Sequence, residues 1–200
     1  MEFISKIILR YHFVKTYFFY RPFVKKAYGR FLLINPILFT PRHFIIGKSV
    51  FIRNNARLEG ITRHDSDNFN PVVEIGNNVS IEQNLHLTCA RKILIGNNTA
   101  IAANVTISDI NHPYTDINLP PDRQPLQVSE ITIGDDCKIY NNVVILPGTI
   151  LGKHNIVGAN SVVGGIFPDF CVIAGTPAKI IKQYNPGTES WEKVDSKDNF

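Results

Sequence analysis

An aliphatic residue recurs at every sixth position along much of this chain. The residues that keep this period are Ile75, Ile81 and Leu87, then Ile95, Ile101 and Ile107, and then Ile133, Ile139, Ile145, Leu151, Val157 and Val163. Asn or Asp pairs at 77–78, 97–98, 135–136 and 141–142 stand between them, and these residue types tolerate the left-handed backbone of tight turns. A repeat this short indicates a solenoid whose units bury their apolar side chains against neighbouring units. The sequence therefore predicts short strands that turn every six residues, with three such edges in each triangular coil.

Three segments of the repeat carry recognisable motifs. Residues 75–81 and 95–101 read Ile-Gly-Asn-Asn-x-x-Ile, and residues 172–182 read Val-Ile-Ala-Gly-Thr-Pro-Ala-Lys-Ile-Ile-Lys. With these motifs, residues 45–183 resemble the hexapeptide-repeat acyltransferases, most of all the O-antigen and polysaccharide O-acetyltransferase branch, which is related to the galactoside, maltose and xenobiotic acetyltransferases. The resemblance implies an all-β fold, a left-handed parallel β-helix, and assembly as a homotrimer. The left hand is implied by the resemblance alone, because parallel crossover connections are generally right-handed.

Composition narrows the class of partner and the compartment. Of the 200 residues, 44% are hydrophobic, which is enough for a sizeable core. The net charge of +4 is too small and too scattered to indicate a nucleic-acid-binding protein. The three cysteines, Cys89, Cys137 and Cys171, are far apart and form no Cys-x-x-Cys pair. This pattern favours a reducing, cytoplasmic compartment and argues against a disulfide scaffold or a thiolate zinc site.

Residues 1–44 differ from the repeat, and we expect them to form a helical N-terminal segment, with helix over residues 4–30. Short aromatic groups such as 17–20 alternate with basic residues in this segment. We expect it to cap the open end of the solenoid, which otherwise exposes unpaired backbone. A second interpretation is weak peripheral contact with the inner face of the membrane. At the other end, residues 184–200 are expected to be a polar tail.

The N-terminal segment gives no sign of a membrane span or a leader. Its apolar runs are too short to cross a bilayer. The early Glu2 and the scattered charges do not fit a secretory signal peptide.

Two polar segments interrupt the repeat. Residues 60–71 contain His64, Asp65 and Asp67, which suggest either a metal site or, more simply, a loop. Residues 108–130 contain four prolines before the repeat resumes. Long insertions in a rigid scaffold commonly carry functional residues, so we expect 108–130 to be the active-site loop.

The resemblance implies a catalytic histidine at the start of this loop. In the related acetyltransferases the histidine follows a coil of the form found at 101–107, and the ungapped match is His112. Many O-antigen relatives carry Asp-His-x-His here, whereas this chain has Ile110 in place of the first histidine. An imidazole can accept the proton of an acceptor hydroxyl as the new bond forms. Asp109 is expected either to orient the ring or the substrate or to cap a turn.

Binding residues follow from the same resemblance. For the acceptor the resemblance implies Glu82 and Asn84, and His86 is added because alternation points it outward on a coil expected to stack near His112. The alternative for all three is an ordinary exposed polar residue on a β-helix face. For the donor, acetyl-coenzyme A, the resemblance implies Asn141, Ala159 and Asn160 along the pantetheine arm, and Lys179 and Lys182 near the nucleotide phosphates.

The chain departs from the family pattern at two donor positions. Lys138 stands where an aromatic residue is common, and Gly165 stands where a lysine is frequent. These changes put individual donor contacts and the identity of the acyl group in question. Separately, the expected reaction needs no metal ion, and none is expected.

The expected function is acetyl transfer from acetyl-coenzyme A to a sugar hydroxyl, in the synthesis of a bacterial lipopolysaccharide O-antigen or polysaccharide. The acceptor would attack directly, without an acyl-enzyme. One alternative is an amino-sugar N-acetyltransferase of the same fold. Less favoured alternatives are a γ-type carbonic anhydrase, which needs three histidines on zinc, and a non-catalytic β-helix scaffold.

Overall fold

The computed structural model describes residues 2–194, which form a triangular prism of three parallel sheets. Strands are numbered along the chain. The first sheet contains β1 (Lys26–Ala27), β4 (Phe44–Ile46), β9 (Val72–Ile75), β12 (Lys92–Ile95), β17 (Ile131–Ile133), β20 (Ile150–Leu151) and β23 (Ile166–Phe167). The second contains β2 (Phe31–Leu33), β5 (Val50–Ile52), β10 (Ser80–Ile81), β13 (Ala100–Ile101), β18 (Lys138–Ile139), β21 (Ile156–Val157) and β24 (Cys171–Gly175). The third contains β3 (Leu38–Phe39), β6 (Arg57–Gly60), β11 (His86–Cys89), β14 (Thr106–Ser108), β19 (Val144–Ile145) and β22 (Val162–Val163).

The remaining elements are hairpins and short helices. The hairpins are β7 (Arg63–His64) with β8 (Asp67–Asn68), β15 (Ile110–Asn111) with β16 (Gln127–Val128), and β25 (Ala178–Asn185) with β26 (Ser190–Lys193). The helices are α1 (Glu2–Lys15), a π-helical turn (Thr16–Tyr20), and 3-10 turns at Arg21–Phe23, Pro41–His43 and Pro121–Arg123.

The six-residue period produces the core. Each of the twelve aliphatic residues that keep the period is buried, with at most 3% of its surface exposed. The strand register places equivalent residues of successive coils side by side, as in Ile81, Ile101, Ile139 and Val157. Each coil therefore buries its inner side chains on the coils before and after it, as the sequence predicts.

Asparagines hold the corner between the second and third sheets. Asn84, Asn104, Asn142 and Asn160 all have φ between 60° and 62°, in the left-handed region. Their side-chain amides hydrogen-bond from one coil to the next over 2.8, 3.0 and 2.9 Å. These four residues, the asparagine ladder, satisfy side-chain donors and acceptors while the backbone turns.

The solenoid begins earlier than the sequence indicates, and the expectation of helix over 4–30 is wrong beyond Phe23. The first strands, β1 to β3, pair in parallel with β4 to β6. Strand β1, at Lys26–Ala27, lies within the expected helix, and the strand that follows it, Phe31–Leu33, is almost fully buried by pairing with β5. Thr16 joins the helical part to the prism, because its hydroxyl donates to Leu33 O and accepts from Leu33 N, each at 3.1 Å.

The chain end adds two antiparallel strands to the second sheet. Strand β26 lies within the segment 184–200 that reads as a polar tail, and residues 195–200, like Met1, are outside the described residues. Trp191 packs near Tyr184 and His154, with ring centroids 5.7 and 6.3 Å away. Within residues 2–194, no helix has the length and apolar character that crossing a bilayer requires.

Candidate active site

The two polar interruptions leave the prism at the same corner. Residues 61–71 follow β6 and residues 109–130 follow β14, and both strands flank β11 in the third sheet. Both segments run from the third sheet to the first, so they project from one edge of the prism. The parallel stacking of the coils thus brings together two segments that are distant in sequence.

The longer loop, 109–130, is folded around a buried glutamine. Gln124 is 3% exposed, and its amide nitrogen donates to Asp116 O and Leu119 O at 2.9 and 3.0 Å. At the base of the loop, Ser129 N donates to Asp109 O at 2.9 Å, beside the pairing of β15 with β16. These bonds give the loop a defined shape from which side chains can be positioned.

His112 stands just after β15 on this loop, and its side chain is 45% exposed. Its Nδ1 lies 3.8 Å from Oδ1 of Asp122, a carboxylate that is 92% exposed. The ring meets the His64 ring edge to face, with centroids 5.6 Å apart. His112 therefore has open surface toward a ligand while the two loops fix one side of its ring.

A cavity of about 230 Å³ lies between the loops and the third sheet. Its lining combines two imidazoles, two hydroxyls and three aliphatic side chains: His64, His112, Thr88, Ser108, Ile61, Ile110 and Leu126. A small concave site with a few convergent polar groups on an apolar wall is typical of ligand binding.

Asp109 caps a turn, which is the second of the two roles considered for it. It is fully buried, and its carboxylate accepts hydrogen bonds from the backbone N–H groups of Ala90, Arg91 and Lys92 at 2.7, 2.8 and 3.0 Å. In the described part of the chain no hydrogen bond joins it to His112. A carboxylate that already accepts three backbone bonds organises the corner between β11 and β12 and does not orient the imidazole.

The residues expected to contact the acceptor do not lie together. His86 is half-buried on β11, two residues before Thr88 of the cavity wall, and burial, followed by the nearby Arg57, lowers the pKa of its imidazole. Glu82 lies at the far corner and forms an ion pair with Arg53 at 2.8 Å. Asn84 belongs to the asparagine ladder at that same corner. Only His86 shares a strand with the cavity.

Three of the five residues expected to bind the donor lie at the corner between the second and third sheets. Asn141, Ala159 and Asn160 are exposed there in the last coils, and Asn160 N donates to Asn141 O at 3.0 Å. Lys179 and Lys182 are exposed on β25, which pairs with β24. Within one chain, this corner and His112 lie at opposite edges of the third sheet.

The two departures from the family pattern have structural counterparts. The Lys138 ammonium lies 5.5 Å from the centre of the Tyr140 ring, so an aromatic surface is present two residues further on. Gly165 has φ of +101°, a conformation that a lysine would rarely adopt.

His64 is the site residue that the sequence interpretation misses, because the sequence places it only in a possible metal cluster with Asp65 and Asp67. The described residues contain no group of three or more His, Cys, Asp or Glu side chains arranged to hold a metal ion. The sequence feature that could have predicted its place beside His112 is that both interruptions follow strands of the same sheet. They therefore leave the prism at the same edge.

The cysteines are buried. Burial raises the pKa of the Cys137 thiol to about 11 and also raises those of Cys89 and Cys171. Thiols held in the neutral form are poor nucleophiles at neutral pH.

Comparison with known proteins identifies relatives of this chain. Residues 130–165 match the family model described as bacterial transferase hexapeptide (six repeats). The chain is 43% identical over 130 residues to the provisionally named lipopolysaccharide biosynthesis O-acetyl transferase WbbJ of Escherichia coli K12, covering 62% of this chain and 66% of that protein. It is 33% identical over 114 residues to the galactoside O-acetyltransferase of the same strain, covering 56% and 55%. The matches thus span two thirds of these curated relatives or less.

A solved structure shares the fold. It is a point mutant of AntD, an N-acyltransferase from Bacillus cereus, in complex with dTDP-4-amino-4,6-dideoxyglucose and coenzyme A. The TM-score is 0.66 at 17% identity, over 83% of this chain and 87% of that one. At this identity the likeness shows the fold alone, a left-handed parallel β-helix, which confirms the expected architecture and hand.

Proposed function

Because the chain belongs to the hexapeptide-repeat transferase family, we propose that it transfers an acetyl group from acetyl-coenzyme A to a hydroxyl group of a sugar. The pathway would be synthesis of a bacterial lipopolysaccharide O-antigen or a related polysaccharide. One observation carries the proposal: a half-exposed histidine, His112, opens onto a small cavity with hydroxyl-bearing walls at the edge of a β-helix.

In this mechanism His112 is the general base. The acceptor hydroxyl is a weak nucleophile until its proton is accepted, and imidazole is the side-chain group best suited to accept and release a proton in neutral solution. Asp122 lies beside the ring, with its Oδ1 3.8 Å from Nδ1. Acetyl-coenzyme A would supply the acyl group: the hydroxyl oxygen would attack the thioester carbonyl, the C–S bond would break, and the thiolate would leave as free coenzyme A with the proton taken up by the imidazole. Positioning of the hydroxyl against that group would provide much of the remaining rate enhancement.

The residues of the late coils fit such a donor. Ala159 and Asn160 present a small exposed surface, and the Thr176 hydroxyl is occupied by a bond to Asn160 O at 3.3 Å. This surface suits a narrow polar chain such as pantetheine. Lys179 and Lys182, exposed on the neighbouring strand, supply positive charge for phosphates. We therefore assign the donor to Asn141, Ala159, Asn160 and these lysines.

The function is tested by release of free thiol from acetyl-coenzyme A in the presence of a panel of hexoses, amino sugars and nucleotide sugars. Replacement of His112 by Ala should lower turnover about a hundredfold or more, as loss of a general base typically does, with the Michaelis constant for the donor little changed. The control is His154→Asn, because His154 is exposed in the last coils away from the loops and asparagine tolerates its left-handed φ of +56°. Near-native turnover of H112A would exclude His112 as the base. Acetylation of amines alone would make the enzyme an N-acetyltransferase.

We propose that the active form is a homotrimer. In one chain, His112 and the donor residues lie at opposite edges of the third sheet, so a neighbouring copy is needed to bring the two halves of a site together. The late coils also expose large aliphatic side chains: Leu146, Ile150 and Ile166 are 39%, 41% and 75% exposed. Flat prism faces with exposed apolar residues suit closed threefold packing.

We also propose that the enzyme works at the cytoplasmic face of the inner membrane, by peripheral contact. The N-terminal helical segment exposes aromatic side chains, among them Tyr17, Phe18 and Phe19 at 57%, 64% and 68%. An apolar groove of about 910 Å³ lies between this segment and the second sheet, and Arg21 and Arg30 are among its lining residues. Aromatic surface bordered by cations suits an anionic lipid interface.

A further inference from the structure

The short loop that carries His64 is well ordered by its own hydrogen bonds. Strands β7 and β8 pair His64 with Asp67 across a turn in which Asp65 has φ of +47°. Arg63 Nε donates to Asp65 O at 3.0 Å, and Phe69 N donates to Thr62 O at 2.9 Å. The backbone that carries the His64 ring is therefore fixed by bonds that do not involve His112.

The edge of the His64 ring carries an unused polar atom. Its Nε2 is buried and has no hydrogen-bond partner among residues 2–194. The same side chain lines the 230 Å³ cavity beside His112. A buried polar nitrogen without a partner costs free energy, and a ligand in the cavity with a hydroxyl group would remove that cost.

The opposite wall of the cavity offers a matching group. The Thr88 hydroxyl donates to Ser108 Oγ at 2.9 Å, and Ile110 N donates to the same oxygen at 3.3 Å. Ser108 accepts in both bonds, which leaves its own proton for a ligand. A molecule in the cavity thus meets hydrogen-bonding groups from two sides and an aliphatic wall from Ile61 and Leu126.

We propose that His64 binds the acceptor, with its Nε2 hydrogen-bonded to a ring hydroxyl of one monosaccharide unit while a second hydroxyl faces His112. The cavity is below the ~300 Å³ at which pockets for drug-sized ligands begin, so it takes one sugar ring. Alternating hydroxyl and C–H surfaces of such a ring match the mixed lining. This inference rests on the proposed function and adds the residue that fixes which hydroxyl is acetylated.

A purely structural role for His64 makes a different prediction. If its ring served only to pack edge to face against His112, phenylalanine would replace it without loss. If Nε2 is the important atom, phenylalanine fails and glutamine, whose amide nitrogen can reach a similar position, restores part of the binding. The pair His64→Phe and His64→Gln therefore separates the two roles.

The test measures binding of methyl glycosides of glucose, galactose, mannose and rhamnose by NMR, with the imidazole signals of His64 and His112 as reporters and no donor present. The wild-type protein should bind at least one glycoside with shifts in both imidazoles. His64→Phe should weaken that binding on the order of tenfold, because a buried polar partner is lost. His64→Gln should recover part of it. Ser66→Ala, an exposed residue of the same turn, is the matched control and should bind like wild type.

Three results would overturn the role of His64. They are wild-type affinity in His64→Phe, saturation that leaves the His64 signals unmoved, and failure of the wild-type protein to bind any of the four glycosides. Binding that depends on His64 without thiol release in the turnover assay would instead refute the proposed function and leave the sugar site in place.

Discussion

Two neighbouring residues at the start of the long loop have opposite environments. Asp109 is fully buried and accepts three backbone hydrogen bonds. His112, three residues later, is about half exposed beside the cavity. A side chain whose hydrogen-bonding capacity is consumed by the backbone stabilises the fold, whereas one with open surface is available to a ligand.

Asp109→Asn should therefore lower the free energy of unfolding. Both carboxylate oxygens accept from backbone N–H groups, whereas asparagine keeps one acceptor oxygen and replaces the other with an NH2 group that cannot accept. Hydrogen bonds to charged groups contribute about 1.5–3 kcal/mol each. We expect a loss of roughly 2 kcal/mol in the free energy of unfolding, measured by urea denaturation. The pH profile of turnover should keep its shape, because the carboxylate does not contact the imidazole. A shifted profile with unchanged stability would return Asp109 to the catalytic machinery.

The coils depend on backbone turns that most residues resist. In the asparagine ladder, Asn104 has φ of 60° and bonds to Asn84 above and Asn142 below. It thus contributes in two ways, by tolerating the left-handed conformation and by linking coils through its amide.

Substitution at Asn104 separates these contributions. Both Asn104→Gly and Asn104→Ala remove the amide bonds, but only alanine adds the left-handed strain of about 1–2 kcal/mol. We therefore expect Asn104→Ala to be less stable than Asn104→Gly by roughly 1 kcal/mol in chemical denaturation, despite the extra chain entropy that glycine loses. Equal stability of the two variants would show that the backbone strain of alanine at this corner is no larger than the chain entropy that glycine loses.

In the proposed mechanism, assembly decides whether the prism has a complete site. The proposed donor residues and His112 are separated by the width of the third sheet. On the first sheet, the late coils expose Ile150 and Ile166. A monomer would leave the large apolar area around these side chains exposed to solvent.

Ile166→Glu should break the assembly, because it places a charge in the proposed apolar contact. Sedimentation should show a trimer for the wild-type protein and a smaller species for this variant, with thiol release lost in parallel. Ile117→Glu is the control, because Ile117 is 93% exposed on the long loop, and it should remain trimeric. A stable, active wild-type monomer would refute both the trimer and the shared site.

Membrane contact is expected to be weak and sensitive to salt. Cations near an anionic surface contribute about 1 kcal/mol each, and this attraction is screened as ionic strength rises. Flotation with phosphatidylglycerol vesicles should recover the protein at low salt and lose it at high salt or in Arg21→Gln/Arg30→Gln. Arg123→Gln, an exposed arginine of the long loop, should float like wild type. Absence of low-salt binding by an intact trimer would leave the N-terminal segment a structural cap.

The six-residue period of the sequence by itself determined the architecture. A residue that keeps the period packs against residues of the adjoining coils, so the pattern is sufficient to predict the stacking. An aliphatic residue at every sixth position has only the stacked coils in which to bury itself, and each such residue in the three series is buried. Asparagines between them accept the left-handed turns without help from distant parts of the chain. His112, in contrast, was predicted from the family resemblance, because it follows the coil at 101–107 at the spacing of the related acetyltransferases, and its role stays a prediction.

Only the tertiary structure decided which residues of different coils contact each other. Phe31–Leu33 belong to the segment that the sequence assigns to the N-terminal cap, and pairing with β5 places them in the core of the prism. An aspartate at position 109 fits either a catalytic partner or a turn cap. The backbone N–H groups that donate to its carboxylate come from the previous coil. His64 and His112 meet because their loops leave one edge of the same sheet. The register between stacked coils fixes these contacts, and that register depends on how the insertions leave and rejoin the prism.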